Sequence, residues 1–316
     1  MFSSLKKTEY MDFHFAPVQG HTDAAYRRLH AEAYGRECSY YSPFIRLEKD
    51  SIRPRDIKDI ASENNSGIDL TPQIIFKDSR ELRSLVGLIK KEGFRAIDLN
   101  MGCPFPLQTA RGRGAATVAN IPLAEDVAAV VAENPEISFS VKMRLGMSDS
   151  HEWRPLLDIL NHTSLRHIAL HPRTASQQYK GELNLDEFKA FLDSSSNPVV
   201  YNGEIKTPAD IGRIVESLPG IGGIMIGRGL LGRPSLVREW IDGGEWPREK
   251  RIEAMLAFHK KLMAHYSEIL CGDSQVISKI SPFWEYAESE IGRKAWKALK
   301  KASNIAKYHS ALALID

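Results

Sequence analysis

Cysteine is scarce in this 316-residue sequence: Cys38, Cys103 and Cys271 stand far apart and are odd in number. They provide neither a disulfide framework nor a CxxC metal site, so no metal is expected and a reducing cytoplasm is the expected compartment. Long apolar runs are also missing. No stretch reaches the ~18 consecutive apolar residues of a membrane span, and the opening MFSSLKKTEYMDF lacks the apolar core of a secretory leader. No membrane partner is expected. A glycine-rich dinucleotide turn is absent as well, because Ala16-Pro17-Val18-Gln19-Gly20 stands where GxGxxG would have to follow the first strand. Net charge is nearly absent, at +2, and 43% hydrophobic with 26% charged residues is ordinary for a globular protein. The distribution of charge says more. Residues 248–316 carry 12 Lys and Arg against 8 Asp and Glu, whereas the first 247 carry 30 against 32. A basic C-terminal end suits a polyanionic partner, although a solvated helix surface accounts for the charge equally well on its own.

What is present is a repeat of short apolar runs separated by helix-length segments, the pattern of βα units. Strands are predicted at 13–18, 37–44, 69–76, 96–103, 139–145, 167–172, 198–204 and 222–228. Their Val, Ile, Phe and Leu content is that of parallel strands covered by helices. Helices are predicted at 78–92, opening on Asp78–Ser79, and at 121–134, with Pro122 in the first turn. Eight such strands predict an α/β fold, a closed (β/α)₈ barrel, with an open doubly wound sheet as the alternative. The character changes at Gly243-Gly244-Glu245-Trp246-Pro247. Beyond it helices are predicted at 249–270, 282–301 and 303–314, which divides the chain into a barrel domain, 1–245, and a strand-free helical domain, 246–316.

In a (β/α)₈ barrel the functional residues sit where strands end and βα loops begin. Asn100 and Cys103 fall at the end of the fourth predicted strand, Lys142 and Arg144 at the fifth, His171 and Arg173 at the sixth. Asn202, Gly203 and Glu204 end the seventh, Gly227, Arg228 and Gly229 the eighth, and Gln73 lies in the third. Any one of these has a structural explanation, since a cysteine is usually a small buried hydrophobe. Their coincidence at matching ends of several strands is hard to assign to surface chance. The glycines after the last two strands suit an anion nest at the usual barrel phosphate position, with Arg228 adding positive charge. Sugar-phosphate and flavin mononucleotide enzymes both use such a site.

Taken together, LNMGCP (99–104), VKMRLG (141–146), HPRT (171–174), YNGEI (201–205) and MIGRG (225–229), with the opening FAPVQGHTD (15–23) and Gln73, resemble the tRNA-dihydrouridine synthases. The likeness runs over roughly 13–316, helical segment included. It implies FMN as cofactor, NADPH as electron donor with NADH the alternative, and tRNA as substrate; a monomer is expected, though nothing in the sequence fixes the oligomeric state. By the resemblance, Ala16, Pro17 and Val18 lie under the flavin and Gln73 bonds its ring edge. Lys142 and His171 stand beside it, and Asn202, Gly203, Glu204, Gly227 and Arg228 hold its phosphate arm. Asn100, Arg144, Lys142 and His171 surround the target uracil, and Cys103 is the proton donor. The chemistry suits these residue types. Hydride from a reduced flavin to uracil C6 leaves negative charge that needs a proton at C5, and a thiol of pKa about 8.5 is protonated at neutral pH yet acidic enough to give one.

Two departures from the family pattern stand out. Pro172 follows the histidine where the family has glycine, removing an amide donor. FPLQ (105–108) follows the cysteine where the family often has a lysine, and Arg111 and Arg113 are the expected replacements for that RNA contact. On the last basic segment Arg293, Lys297, Lys300 and Lys301 share one helical face with RNA as the expected partner. Two other readings stand beside this one: a flavin-dependent reductase of a free pyrimidine or enoate, and an RNA-binding barrel without turnover. The basic helical segment argues against the first, and Cys103, Lys142 and His171 argue against the second.

Overall fold

The computed structural model describes residues 11–315. Most of the opening read above for a leader, the first ten residues of the 1–245 domain, and Asp316 lie outside the described residues. Eight parallel strands form the centre: β1 Asp12–Phe15, β2 Cys38–Tyr41, β3 in two pieces, β4 Ala96–Met101, β5 Ser138–Gly146, β6 Ile168–Thr174, β7 Val199–Tyr201 and β8 Gly223–Ile226. The pieces of β3, Leu70–Thr71 and Gln73–Ile74, are separated by Pro72, which has no N–H for the ladder. The first piece pairs with β2 and the second with β4, and the Asp98 N–H bonds the Pro72 carbonyl at 2.9 Å across the break. Since β1 pairs with both β2 and β8, the sheet closes. The (β/α)₈ expectation holds, and the open sheet does not.

A helix follows each strand: α1 Ala24–Tyr34, α2 Pro54–Ile60, α3 Ser79–Lys91, α4 Ile121–Glu133, α5 Trp153–Asn161, α6 Leu185–Ser194, α7 Pro208–Ser217 and, after a short Arg228–Gly232 turn of helix, α8 Leu236–Ile241. Side-chain caps fix several starts. Asp78 accepts from the Glu81 N–H at 2.8 Å to open α3, and Thr207 with Asp210 forms a capping box on α7. Outward strand residues such as Phe139, Val141, Met143, Ile168 and Leu170 are buried beneath these helices, where apolar area removed from water drives the packing.

The C-terminal part corrects one expectation. Helices α9 Arg248–Ile269 and α12 Ile305–Leu312 lie where they were expected, but the segment 282–301 is not one helix. An unforeseen helix, α10 Asp273–Ile280, precedes it, and Pro282 opens a tight Ser281–Trp284 turn. Gly292, at φ 79°, then separates a short Glu288–Ile291 turn from α11 Arg293–Lys301. That left-handed angle costs glycine little and ends the helix before it.

These helices share one apolar core with the barrel. Phe258 of α9 meets Tyr26 of α1 edge-on with ring centroids 5.0 Å apart. Asp23, which caps α1, also accepts from the Tyr266 hydroxyl at 2.9 Å and pairs with Lys279 at 2.6 Å. At the junction, the fully buried Glu239 of α8 binds the Arg233 guanidinium, the Ser235 hydroxyl at 2.6 Å and the Trp246 N–H at 2.8 Å. Removing one partner of a buried ion pair leaves an uncompensated charge. Glu239→Gln is therefore expected to lower unfolding free energy by about 3 kcal/mol in urea titration, whereas Arg238→Gln, on the exposed side of the same helix, should lie within about 0.5 kcal/mol of the parent.

Candidate active site

Ladder register alone brings the inward residues together. Gln73 lies opposite Asp98, Asp98 opposite Ser140, Asn100 opposite Lys142, and Arg144 opposite His171. Facing residues on paired strands share one side of the sheet, here the inside of the barrel. Their hydrogen bonds run in a single direction. Asp98 accepts from the Ser140 hydroxyl at 2.5 Å and from Gln73 Nε2 at 2.7 Å; Gln73 Oε1 accepts from Asn100 Nδ2 at 2.7 Å; Asn100 Oδ1 accepts from the Cys103 N–H at 2.9 Å and the Gly102 N–H at 3.2 Å. A carboxylate only accepts, so it orients the Gln73 amide, which orients Asn100, which holds the Cys103 turn. Burial raises the Asp98 carboxyl to about 6. Asp98 and Ser140 were not anticipated, although Asp98 precedes Asn100 by two residues on one strand and therefore shares its face.

Cys103 is partly buried, and burial raises its thiol above the usual range, opposed by the Phe105 N–H and the charges of Lys142 and Arg144. It is a protonated thiol at neutral pH. Burial, with Arg144 nearby, lowers the Lys142 ammonium to about 8, while Asp98 and Cys103 work against that shift. Lys142 has no hydrogen-bonding or ion-pairing partner among the described residues. Burial holds His171 well below its usual pKa and therefore neutral. Its Nδ1–H donates to the Asn202 carbonyl, which leaves Nε2 a buried acceptor without a partner. Arg144 donates to the carbonyls of Gly102 at 3.1 Å and Thr174 at 2.9 Å, so two of its nitrogens already brace the site.

These groups line one cleft of about 940 Å³, including its mouth, with Ala16, Pro17, Val18, Gln73, Asn100, Asn202, Gly203, Gly227 and Arg228 in the wall. At the ends of β7 and β8 the N–H groups of Gly203, Glu204 and Gly227 meet no backbone acceptor among the described residues. Gly203 has to be glycine, because a Cβ there would stand 1.9 Å from the Tyr201 hydroxyl. Asn202 Nδ2 donates to the Met225 carbonyl at 2.8 Å and ties the two strand ends together. Free amides beside Arg228 fit a phosphate, and an unpartnered ammonium with an unpartnered imidazole nitrogen fits the polar edge of a flavin ring. The residues present therefore suit a flavin carrying one phosphate.

Other expectations change. The Glu204 side chain is turned onto the arginines: its carboxylate pairs with Arg173 at 2.9 Å and Arg228 at 3.5 Å, holding both. Arg113 is turned inward, 6% exposed, with its guanidinium on Glu81 at 2.6 Å, so its expected RNA contact is replaced by a structural one. Arg111 is exposed, as are Arg293, Lys297, Lys300 and Lys301, whose helix buries Ala295 and Leu299 on the opposite face. Three aromatic wall residues were missed. Phe44 follows β2, Tyr179 lies 4.3 Å from the Arg228 guanidinium, and Tyr286 comes from the C-terminal part. Nothing near Tyr286 in sequence signals the site, since only docking of the helices brings it there.

The family profile described as Dihydrouridine synthase (Dus) matches residues 14–307. The chain belongs to the dihydrouridine synthase family. Among its relatives, tRNA-dihydrouridine synthase B of Shewanella oneidensis is 31% identical over 230 residues, 71% of this chain and 69% of that protein. A probable tRNA-dihydrouridine synthase of Treponema pallidum is 28% identical over 307 residues, covering 89% and 86%. Among solved structures, morphinone reductase superposes with a TM-score of 0.52 at 12% identity over 74% of this chain and 86% of that one, a likeness of fold. As a dihydrouridine synthase the chain is a flavin-dependent oxidoreductase.

The Asp98 chain generates a test within this synthase. Asparagine at 98 can still accept from Gln73 and offer its NH₂ to Ser140, so geometry survives while the negative charge goes. Lys142, lowered to about 8, then loses the carboxylate that favours its protonated form; if its charge supports turnover, the alkaline limb should move to lower pH in Asp98→Asn. Asp98→Leu should lower the rate at every pH, because it also frees the Gln73 amide. A limb unmoved in Asp98→Asn, measured by single-turnover pH profiles, would separate Asp98 from Lys142.

Proposed function

We propose that this chain reduces the C5–C6 double bond of uridines in tRNA to dihydrouridine, with FMN as its resident flavin and NADPH, or alternatively NADH, as electron donor. The observation that carries this is a protonated cysteine thiol sharing one cleft with an unpartnered ammonium and an unpartnered imidazole nitrogen. The names of the relatives point to tRNA. When bound, the reduced flavin supplies hydride to C6 of the uracil. Cys103 gives its proton to C5, and the thiolate it becomes is held by the Phe105 N–H and the field of Lys142 and Arg144 until water reprotonates it. Lys142 and Arg144 stabilise negative charge on the uracil carbonyls, and neutral His171 accepts from an N–H through Nε2. The amides of Gly203, Glu204 and Gly227, with Arg228, hold the FMN phosphate. On this reading residues 1–245 are catalytic, and 246–316 both bind RNA and supply Tyr286 to the cleft wall.

Denaturing release should yield FMN rather than FAD, since the cleft offers one phosphate position and no dinucleotide turn. Cys103→Ala should keep the flavin and its reduction by NADPH, while reoxidation by tRNA in a pre-reduced single-turnover assay falls roughly 10²–10⁴-fold. Near-normal reoxidation with dihydrouridine formed would remove the thiol from the mechanism. On the surface, neutralising Arg293, Lys297, Lys300 and Lys301 together should weaken tRNA binding and flatten its salt dependence with flavin content unchanged. An unaltered slope in filter-binding titrations would mark that face as merely solvated.

A further inference from the structure

We infer that Phe105 and Leu107 form a fixed apolar ledge at the cleft mouth on which the base next to the target uridine stacks. This rests on the proposed reduction of uridine in RNA and extends it to how the strand is seated. Phe105 is 54% exposed and Leu107 65%, two of six large exposed apolar side chains among the described residues. A third, Tyr179 at 53%, lines the cleft itself. Phe105 and Leu107 follow directly on Cys103 and Pro104, which line the wall.

Their exposure does not come from a slack loop. The Phe105 N–H is directed at the Cys103 thiol and favours its charged form. The Gln108 N–H donates to the Phe105 carbonyl at 2.8 Å, the Arg113 N–H to the Gln108 carbonyl at 3.1 Å, and the Ala115 N–H to the Cys103 carbonyl at 3.1 Å. The buried Arg113–Glu81 pair then pins the far end of the loop to α3. Pro106 fixes a further backbone angle. The segment PFPLQTA (104–110) carries no charged side chain, and exposed Arg111 follows it. It is therefore built to receive an apolar face, with a cation at its end for a neighbouring phosphate.

A uridine that enters the cleft must leave its stack, and its neighbour then loses a partner on one face. A rigid ring and an aliphatic side chain beside the catalytic thiol give that face a new partner without regard to base identity, because every base has a π-face. The energy recovered lies where the strand is opened, so the ledge favours the flipped-out arrangement over the stacked one. Protein partners also bind exposed Phe and Leu, but positions two and four residues beyond Cys103 place this pair on the path of the substrate strand.

The test uses the full flavin-loaded protein and a tRNA substrate carrying 2-aminopurine beside the target uridine, the wild type first being shown to form dihydrouridine from it. Fluorescence should be quenched on binding to wild type and to Phe105→Trp, and should stay high with the Phe105→Ala/Leu107→Ala double variant. In the double variant kcat/KM should fall about tenfold, through KM, with flavin content and the salt slope of binding unchanged. Quenching and KM equal to wild type in the double variant would overturn the ledge, as would a KM rise that comes with a flatter salt slope, the sign of a lost phosphate contact. Wild type that forms no dihydrouridine in any tRNA would instead overturn the functional reading beneath it.

Discussion

Closing eight parallel strands into a barrel turns every second strand residue into a space with little water, and in this chain many of those residues are polar. Each must find a partner or remain at a cost. Asp98, fully buried, meets that demand by accepting from Ser140 and Gln73, and the ordered amides of Gln73 and Asn100 pass the orientation up to Cys103. The Cys103 turn is thus fixed from below, through hydrogen bonds whose direction a carboxylate dictates. Of the buried atoms left without a partner, Nε2 of His171 belongs to a residue of the cleft wall, whereas His14 Nε2 and Thr71 Oγ1 belong to strand residues nearer the barrel's base. The unmet hydrogen-bonding capacity at the top of the barrel is what a ligand would satisfy.

The same frame sets charge. Lys142 and Arg144 share the fifth strand and repel one another, and Asp98 is the negative group that makes a cationic Lys142 tolerable in a buried position. With a neutral histidine, a protonated thiol and a cation held close to deprotonation, the cleft is arranged for giving protons and holding negative charge, not for nucleophilic attack.

The C-terminal helices belong to this frame as much as to any RNA surface. Asp23 joins the start of α1 to Tyr266 and Lys279, and Glu239 joins Arg233 to Trp246. These buried polar junctions, together with a continuous apolar core, set where Tyr286 stands against the cleft. A loosened junction therefore reaches the site without altering any residue of the barrel.

Strand identity and order were legible from the sequence because parallel barrel strands are apolar and regularly spaced, and that Cys103, Lys142, His171, Asn202 and Arg228 would share one cleft was legible because strand ends of a barrel open at one face. The break in β3 at Pro72 and the caps at Asp78 and Thr207 are local rules written in single residues. Other features required the folded chain. Arg113 and Glu81 are 32 residues apart, and only the packing of the β4 loop on α3 turns an expected RNA contact into a buried pair. Gly292 broke an apparently continuous helix because its left-handed angle is chosen by docking. The free Nε2 of His171, the turning of the Glu204 carboxylate onto Arg173 and Arg228, and the arrival of Tyr286 were decided by tertiary structure. Hydrogen bonds and burial depend on partners distant in sequence, whereas strand periodicity and capping depend on neighbours.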